Sequence, residues 1–190
     1  FNVVDVKKQS NIWHITALDG RQIEARAVVI ADGSQSPWSK TFNLGPTKQK
    51  FASTFSGRIK RRGSLRTETA RFEFGLVKNG FAWAFPLNNE VNIGMGTFLD
   101  YKNSLPVNEI LKSFLPDLGF DPSEVIGHEK KLRIWNGHSQ LNGEGILLVG
   151  DAASLCDPFL AEGLRPALMS GFEAANSLIY WLDGEVNCLD

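Results

Sequence analysis

The sequence predicts an α/β fold interrupted by an antiparallel α+β insertion, and three observations predict it. Two short apolar runs, Ala27-Val28-Val29-Ile30-Ala31 and Ile146 to Val149, each lead into a glycine–acid turn, Asp32-Gly33 and Gly150-Asp151. Continuous apolar runs of this kind suit strands of a parallel sheet buried on both faces. Between the runs, Phe81-Ala82-Trp83-Ala84-Phe85 alternates large and small residues. That is the period of a strand with one aromatic face. Beyond the second run, residues 163–183 place Leu164, Leu168, Phe172, Ala175 and Ile179 near one face of a helix, and Gly184 supplies its stop.

The elements follow in order. Ile12 to Thr16 has strand composition, Asp19-Gly20 is a hairpin turn signal, and the strand pattern resumes from Gln22 to Ala25. Four candidate strands fill the insertion: Phe51 to Ile59, Thr69 to Val77, Phe81 to Leu87 and Val91 to Phe98. Lys78-Asn79-Gly80 and Asn88-Asn89-Glu90 are their hairpin loops. Pro106 to Leu115 spaces Val107, Ile110, Leu111, Phe114 and Leu115 as an amphipathic helix, with Pro tolerated at its start. Glu129 to Trp135 reads as a strand, and Asn136-Gly137 and Asn142-Gly143 as turns. The expected domains are 1–46, an inserted antiparallel-sheet domain over 47–140, and a return to the first domain over 141–190.

Composition narrows the function classes. Over 190 residues, 43% hydrophobic and 22% charged content are ordinary for a globular protein with a real core. A net charge of −1 gives no electrostatic case for nucleic acid as a partner. No apolar run approaches the roughly 18 residues that a bilayer span needs. Two cysteines, Cys156 and Cys188, make no disulfide framework, and His14, His128 and His138 lack neighbours at ligand spacing, so no metal site is expected. A cytoplasmic location, with or without contact to a membrane surface, is the expectation. The chain starts without Met inside a strand-like segment, which reads as an excised piece of a longer protein.

The densest motif is GDAASLCDPFLAEGLRPALMSG, residues 150–171. A parallel strand delivers Gly150-Asp151 to the ligand edge of an open sheet. Gly allows close approach and Asp accepts from a hydroxyl. The loop then reaches Glu162-Gly163, where free helix-start amides meet negative charge. Taken alone, Gly-Asp reads better as a plain strand–turn–helix with Asp151 as a cap; the whole loop is what favours a ligand site.

This loop resembles the second flavin motif of the p-hydroxybenzoate-hydroxylase-like flavoproteins, and within them the geranylgeranyl reductase family. VVIADGSQSPWSK resembles that superfamily's Asp-Gly motif, with Lys40 near the usual basic position. GFAWAFPLNNEVNIGMG resembles the reductases' aromatic segment and the strand after it. The resemblance implies a partial FAD-binding Rossmann-like domain and an antiparallel-sheet substrate domain. It implies that Asp32, Gly33, Gly150 and Asp151 contact FAD. Pro158, Gly163 and Leu164 would lie against the flavin ring, the last two through their N–H groups. Phe81, Trp83 and Phe85 would line an apolar substrate cavity. Hydride transfer from reduced FAD to a C=C bond of a prenyl substrate is the implied activity, with NADPH a candidate electron donor. The competing readings are a flavin monooxygenase or halogenase acting on an aromatic substrate, and a non-catalytic lipid-binding module. No catalytic proton donor and no oligomeric state can be named from the residues.

Two departures stand out. Ala161 occupies a position where the family usually has Gly. Arg165-Pro166 replaces helix formers, and Pro166 is acceptable only if the helix begins near Glu162 or Gly163. The N-terminal GxGxxG unit of the superfamily has no counterpart in these residues, so the isolated chain is expected to bind FAD poorly and to be inactive. Cys156 reads either as a redox thiol or as a small buried apolar residue. Arg58, Lys60, Arg61, Arg62 and Arg66 read either as a solvated hairpin tip or as a site for a diphosphate, a nucleotide phosphate or an anionic membrane.

Overall fold

The computed structural model describes residues 1–60, 69–98, 106–187 and 189. Arg61, Arg62, Arg66 and Cys188 lie outside the described residues. The chain divides into two compact units, residues 1–48, 136–156 and 163–190, and residues 49–135 and 157–162.

In the first unit, strands β1 (Val3–Gln9), β2 (Ile12–Ala17) and β3 (Gln22–Ala25) form an antiparallel sheet. Ser10 and Asn11, both at positive φ, close the first hairpin, and Gly20 at φ +85° closes the second. A second sheet has β4 (Val28–Ile30) parallel to β11 (Ile146–Leu148), with the short β10 (Asn142–Gly143) on its far edge. Val28, Val29 and Ile30 pair with Ile146, Leu147 and Leu148. One side of these strands joins a core of Val6, Trp13, Ile30, Leu44, Ile146 and Leu148. On the other, Leu147 and Val149 meet Ala174 of helix α3 (Leu164–Leu182). A four-residue helix α1 (Trp38–Thr41) lies between the two motifs and has no periodic signal in the sequence.

One burial expectation is corrected here. Val29, the register partner of Leu147, is 42% exposed, so β4 is not buried on both faces. It is the edge strand of a three-stranded sheet, beyond the reach of the helix side chains that cover Leu147. The apolar stripe of α3 also faces outward: Leu164, Leu168, Phe172 and Ile179 are all exposed, and Ala174 is the helix residue that is buried. Ala174 lies off the stripe, and its small side chain lets the helix approach the sheet closely.

The second unit is a five-stranded antiparallel sheet in the order β6-β7-β8-β5-β9. Its strands are β5 (Lys50–Lys60), β6 (Arg71–Phe74), β7 (Gly80–Pro86), β8 (Glu90–Thr97) and β9 (Ile126–Ile134). Helix α2 (Val107–Phe114) lays Ile110, Leu111 and Phe114 on one face against Phe55, Ile59, Ala82, Ala84, Val91, Ile93 and Met95. Each such large side chain contributes about 1.5–3 kcal/mol on burial. The opposite face carries the aromatic residues. β6 is shorter than its expected span because residues 75–79 turn back towards β7, with Gly75 and Asn79 at positive φ.

Candidate functional site

The parallel pair β4 and β11 brings the two glycine–acid turns side by side. The Val149 N–H donates to the Ile30 carbonyl at 3.0 Å, so residues 31–33 and 149–151 leave the sheet from adjacent strand ends. That carboxyl edge is where open α/β sheets hold ligands. Gly33 has φ +85°, with nothing within 4 Å of the place a Cβ would take. Gly150 has φ +55°, and a Cβ there would stand 3.2 Å from the Ala167 Cβ. The Gly150 N–H donates to the Ser170 Oγ at 3.0 Å, tying the turn to α3.

Residues 150–153 wind a 3-10 turn that ends at Ser154, a buried residue at φ +59°. The Ser154 hydroxyl has no hydrogen-bond partner among the described residues. Burial raises the Asp151 carboxyl above its ordinary range, since water can no longer fully solvate the charge. Gly163 stands next to this carboxyl: a Cβ on it would lie 3.4 Å from the Asp151 Oδ1 and 3.5 Å from the Cys156 Sγ. Cys156 is buried.

Gly163 is the N-cap of α3 and no side chain caps the helix. The N–H groups of Gly163 and Leu164 have no hydrogen-bond partner among the described residues. Pro166 is the third residue of the helix, where its missing N–H would have had no intrahelical partner. The helix start therefore accommodates the Arg165-Pro166 departure without a broken bond. Ala161 sits at φ +53°, in the left-handed region that glycine enters freely. Pro158 belongs to the loop of residues 157–162, in which the Asp157 Oδ1 accepts from the Phe159 and Leu160 N–H groups at 3.0 and 2.7 Å.

In the second unit Phe81, Trp83 and Phe85 do share one face. Phe72 of β6 meets Phe81 and Phe85 at centroid distances of 5.7 and 5.2 Å, and Trp83 meets Phe81 and Phe85 at 5.9 and 6.1 Å. The Trp83 indole lies across β8 because Gly94 leaves the space: a Cβ on Gly94 would be 2.0 Å from the Trp83 Cζ2. The indole N–H donates to the Asn92 Oδ1 at 2.9 Å, and the Asn92 Nδ2 donates to the Ser56 Oγ at 3.2 Å. Asn92 and Ser56 escape a reading of the sequence, since a lone Asn or Ser on a strand carries no local signal. Arg58 and Lys60, two and four positions from Ser56 on the same strand face, are the nearby residues that the sequence singles out.

These features fit a flavin in chemical terms. Two glycines at positive φ clear a strand-end edge, and two unpartnered amides start a 19-residue helix beside a half-buried carboxyl. Among the described residues, no cluster of three or more His, Cys, Asp or Glu could hold a metal ion. No described helix is long and apolar enough to cross a membrane.

No family model matches the chain. A menaquinone reductase of Mycobacterium tuberculosis is 30% identical over 184 residues, covering 86% of this chain and 43% of the relative. A digeranylgeranylglycerophospholipid reductase of Methanocella arvoryzae is 29% identical over 160 residues, covering 80% of this chain and 40% of the relative. The chain thus spans less than half the length of the curated relatives it matches. Among solved structures, a geranylgeranyl bacteriochlorophyll reductase-like protein of Thermoplasma acidophilum superposes with a TM-score of 0.76 at 20% identity, covering 96% of this chain and 49% of that one. BrvH, a flavin-dependent halogenase of Brevundimonas sp. BAL3, gives a TM-score of 0.69 at 14% identity, covering 93% of this chain and 36% of that one. The structural likeness shows the fold, that of the FAD-binding Rossmann-type flavoproteins.

Proposed function

The chain belongs to the geranylgeranyl reductase family of flavoproteins, and on that premise we propose that the protein carrying it is an FAD-dependent oxidoreductase that reduces C=C bonds of a prenyl substrate. The observation that carries the reading is the pair of unpartnered N–H groups of Gly163 and Leu164, at the start of a 19-residue helix. When bound, reduced FAD supplies the hydride for one carbon of the double bond, while a proton is added at the other. The two amides, with the positive end of the α3 dipole behind them, stabilise negative charge on the flavin ring. Gly33 and Gly150 let the cofactor approach the strand ends, and Asp32 and Asp151 accept hydrogen bonds from its hydroxyl groups. Phe81, Trp83 and Phe85 give the prenyl chain an apolar surface, where each buried CH₂ contributes roughly 0.8 kcal/mol. NADPH is the proposed source of electrons.

A second reading is supported by the fold shared with halogenases: oxygen-dependent attack on an aromatic substrate. One experiment separates the two. The full-length protein is purified, its visible spectrum recorded, and its reduced flavin mixed anaerobically with prenyl diphosphates. Reoxidation with loss of a prenyl double bond is the expected result. Failure of every prenyl compound, together with oxygen uptake coupled to NADPH oxidation, overturns the reductase reading in favour of the oxygenase. A full-length protein that binds prenyl compounds but no flavin points instead to the non-catalytic binding module.

A further inference from the structure

The aromatic face of the second unit does not end at Trp83. The side chains of Ser56, Arg58 and Lys60 alternate along β5 on that same face, opposite Gly94, Asn92 and Glu90 of β8. On their other side Ser56 and Arg58 pair with His128 and Ile126 of β9. These residues other than Gly94 line a cavity of about 780 Å³ together with Gly57, Ser123 and Glu124. The Trp83–Asn92–Ser56 hydrogen-bond chain joins it to the aromatic ladder, so apolar and polar surfaces are continuous across one sheet.

The chemistry of the cavity is that of a donor-rich groove. Arg58 uses one guanidinium nitrogen on the Glu90 carboxylate, at 3.2 Å, and its other donors point to no described partner. The Lys60 ammonium and the His128 imidazole also have no side-chain partner among the described residues. Glu90 fixes Arg58 in place rather than leaving a free carboxylate. The Asn92 Nδ2 is already committed to the Ser56 Oγ and the Gly57 carbonyl, at 3.2 and 3.4 Å; two cations and a histidine, next to the Ser56 hydroxyl, match the oxygens of a phosphate ester.

We propose that this groove binds the phosphate-bearing head of an amphiphilic substrate whose apolar chain lies along Phe72, Phe81, Trp83 and Phe85. The proposal rests on the prenyl-substrate reading above and extends it from the tail to the head. The same oxygens could be offered by a nucleotide phosphate; the continuity with the aromatic ladder assigns them to the lipid.

The test uses the full-length flavoprotein and equilibrium binding of a C20 prenyl diphosphate and the prenyl alcohol of equal length. The wild type should bind the diphosphate at least about tenfold more tightly, the effect of one charge-assisted hydrogen bond. Arg58→Gln, Lys60→Gln and His128→Gln should each narrow that ratio several-fold, and the triple variant should bring it near one, with alcohol binding unchanged. Trp83→Leu should weaken both ligands together. Inorganic diphosphate should displace the prenyl diphosphate and leave the alcohol bound. Equal binding of both ligands by the wild type, or a ratio that survives the triple variant, overturns the head groove and leaves the prenyl reading standing. Binding of neither ligand overturns both. Displacement of the prenyl diphosphate by 2′-phospho-ADP-ribose, dependent on Lys60, would reassign the groove to a nucleotide and overturn the lipid assignment.

Discussion

Substituting Gly94 by Ala drives a methyl group into the Trp83 indole, where three ring atoms stand 2.0, 2.2 and 2.7 Å from the new Cβ position. Separations this short cannot be relieved by a few tenths of an ångström, so the indole must leave β8. Overpacking of a filled site costs about 1–3 kcal/mol. Moving the ring also breaks the Trp83–Asn92 hydrogen bond, worth about 0.5–1.5 kcal/mol. The combined loss is about 1.5–4.5 kcal/mol. Urea unfolding with an unchanged slope would measure it, and native-state hydrogen exchange at the β8 amides would confine the readout to this sheet. The decisive comparison is a double-mutant cycle with Trp83→Leu. With the indole gone, Gly94→Ala should cost under about 1 kcal/mol, because alanine suits a strand better than glycine once the space is open. An equal cost in both backgrounds would refute the argument that Gly94 exists to seat the indole.

Two further outcomes follow from the loop region. Burial raises the Asp151 carboxyl, so protonation favours the folded state and stability falls as pH climbs from the ordinary carboxylate range through the raised value. In flavin-stripped protein, Asp151→Asn should match the wild type at acidic pH and exceed it in thermal stability above that window; parallel pH profiles would contradict the assignment. Ala161→Gly should raise stability by about 0.5–1 kcal/mol, since the left-handed strain of about 1–2 kcal/mol outweighs the added freedom of the unfolded chain. A lower melting temperature in that variant would show that the loop tolerates Ala161 without strain.

Much of this was legible in the sequence, and the rest was hidden for identifiable reasons. The Phe81–Phe85 alternation located β7 and its aromatic face, because period-two patterning is local and one face of that sheet is packed against α2. The Ala161 departure was visible against the family pattern, and its left-handed backbone supplies the physical reason for glycine there. The apolar stripe of α3 was legible as a stripe but not in its direction. Periodicity reports that a helix has an apolar side; it does not report whether described residues cover it. The polar groove was hidden because Ser56, Asn92 and His128 come from three strands that are distant in sequence. Only the register brings them together, and register is not a local property.

The central claim is that the Gly163 and Leu164 amides hold the electron-rich form of a flavin. Replacing the Leu164 amide by an ester in the full-length protein removes one N–H while keeping the backbone shape, and the midpoint potential of the bound flavin is then measured. Loss of one charge-assisted donor, about 1.5–3 kcal/mol, should lower the two-electron potential by roughly 30–60 mV. A potential that stays where it was, with flavin still bound, would contradict the account.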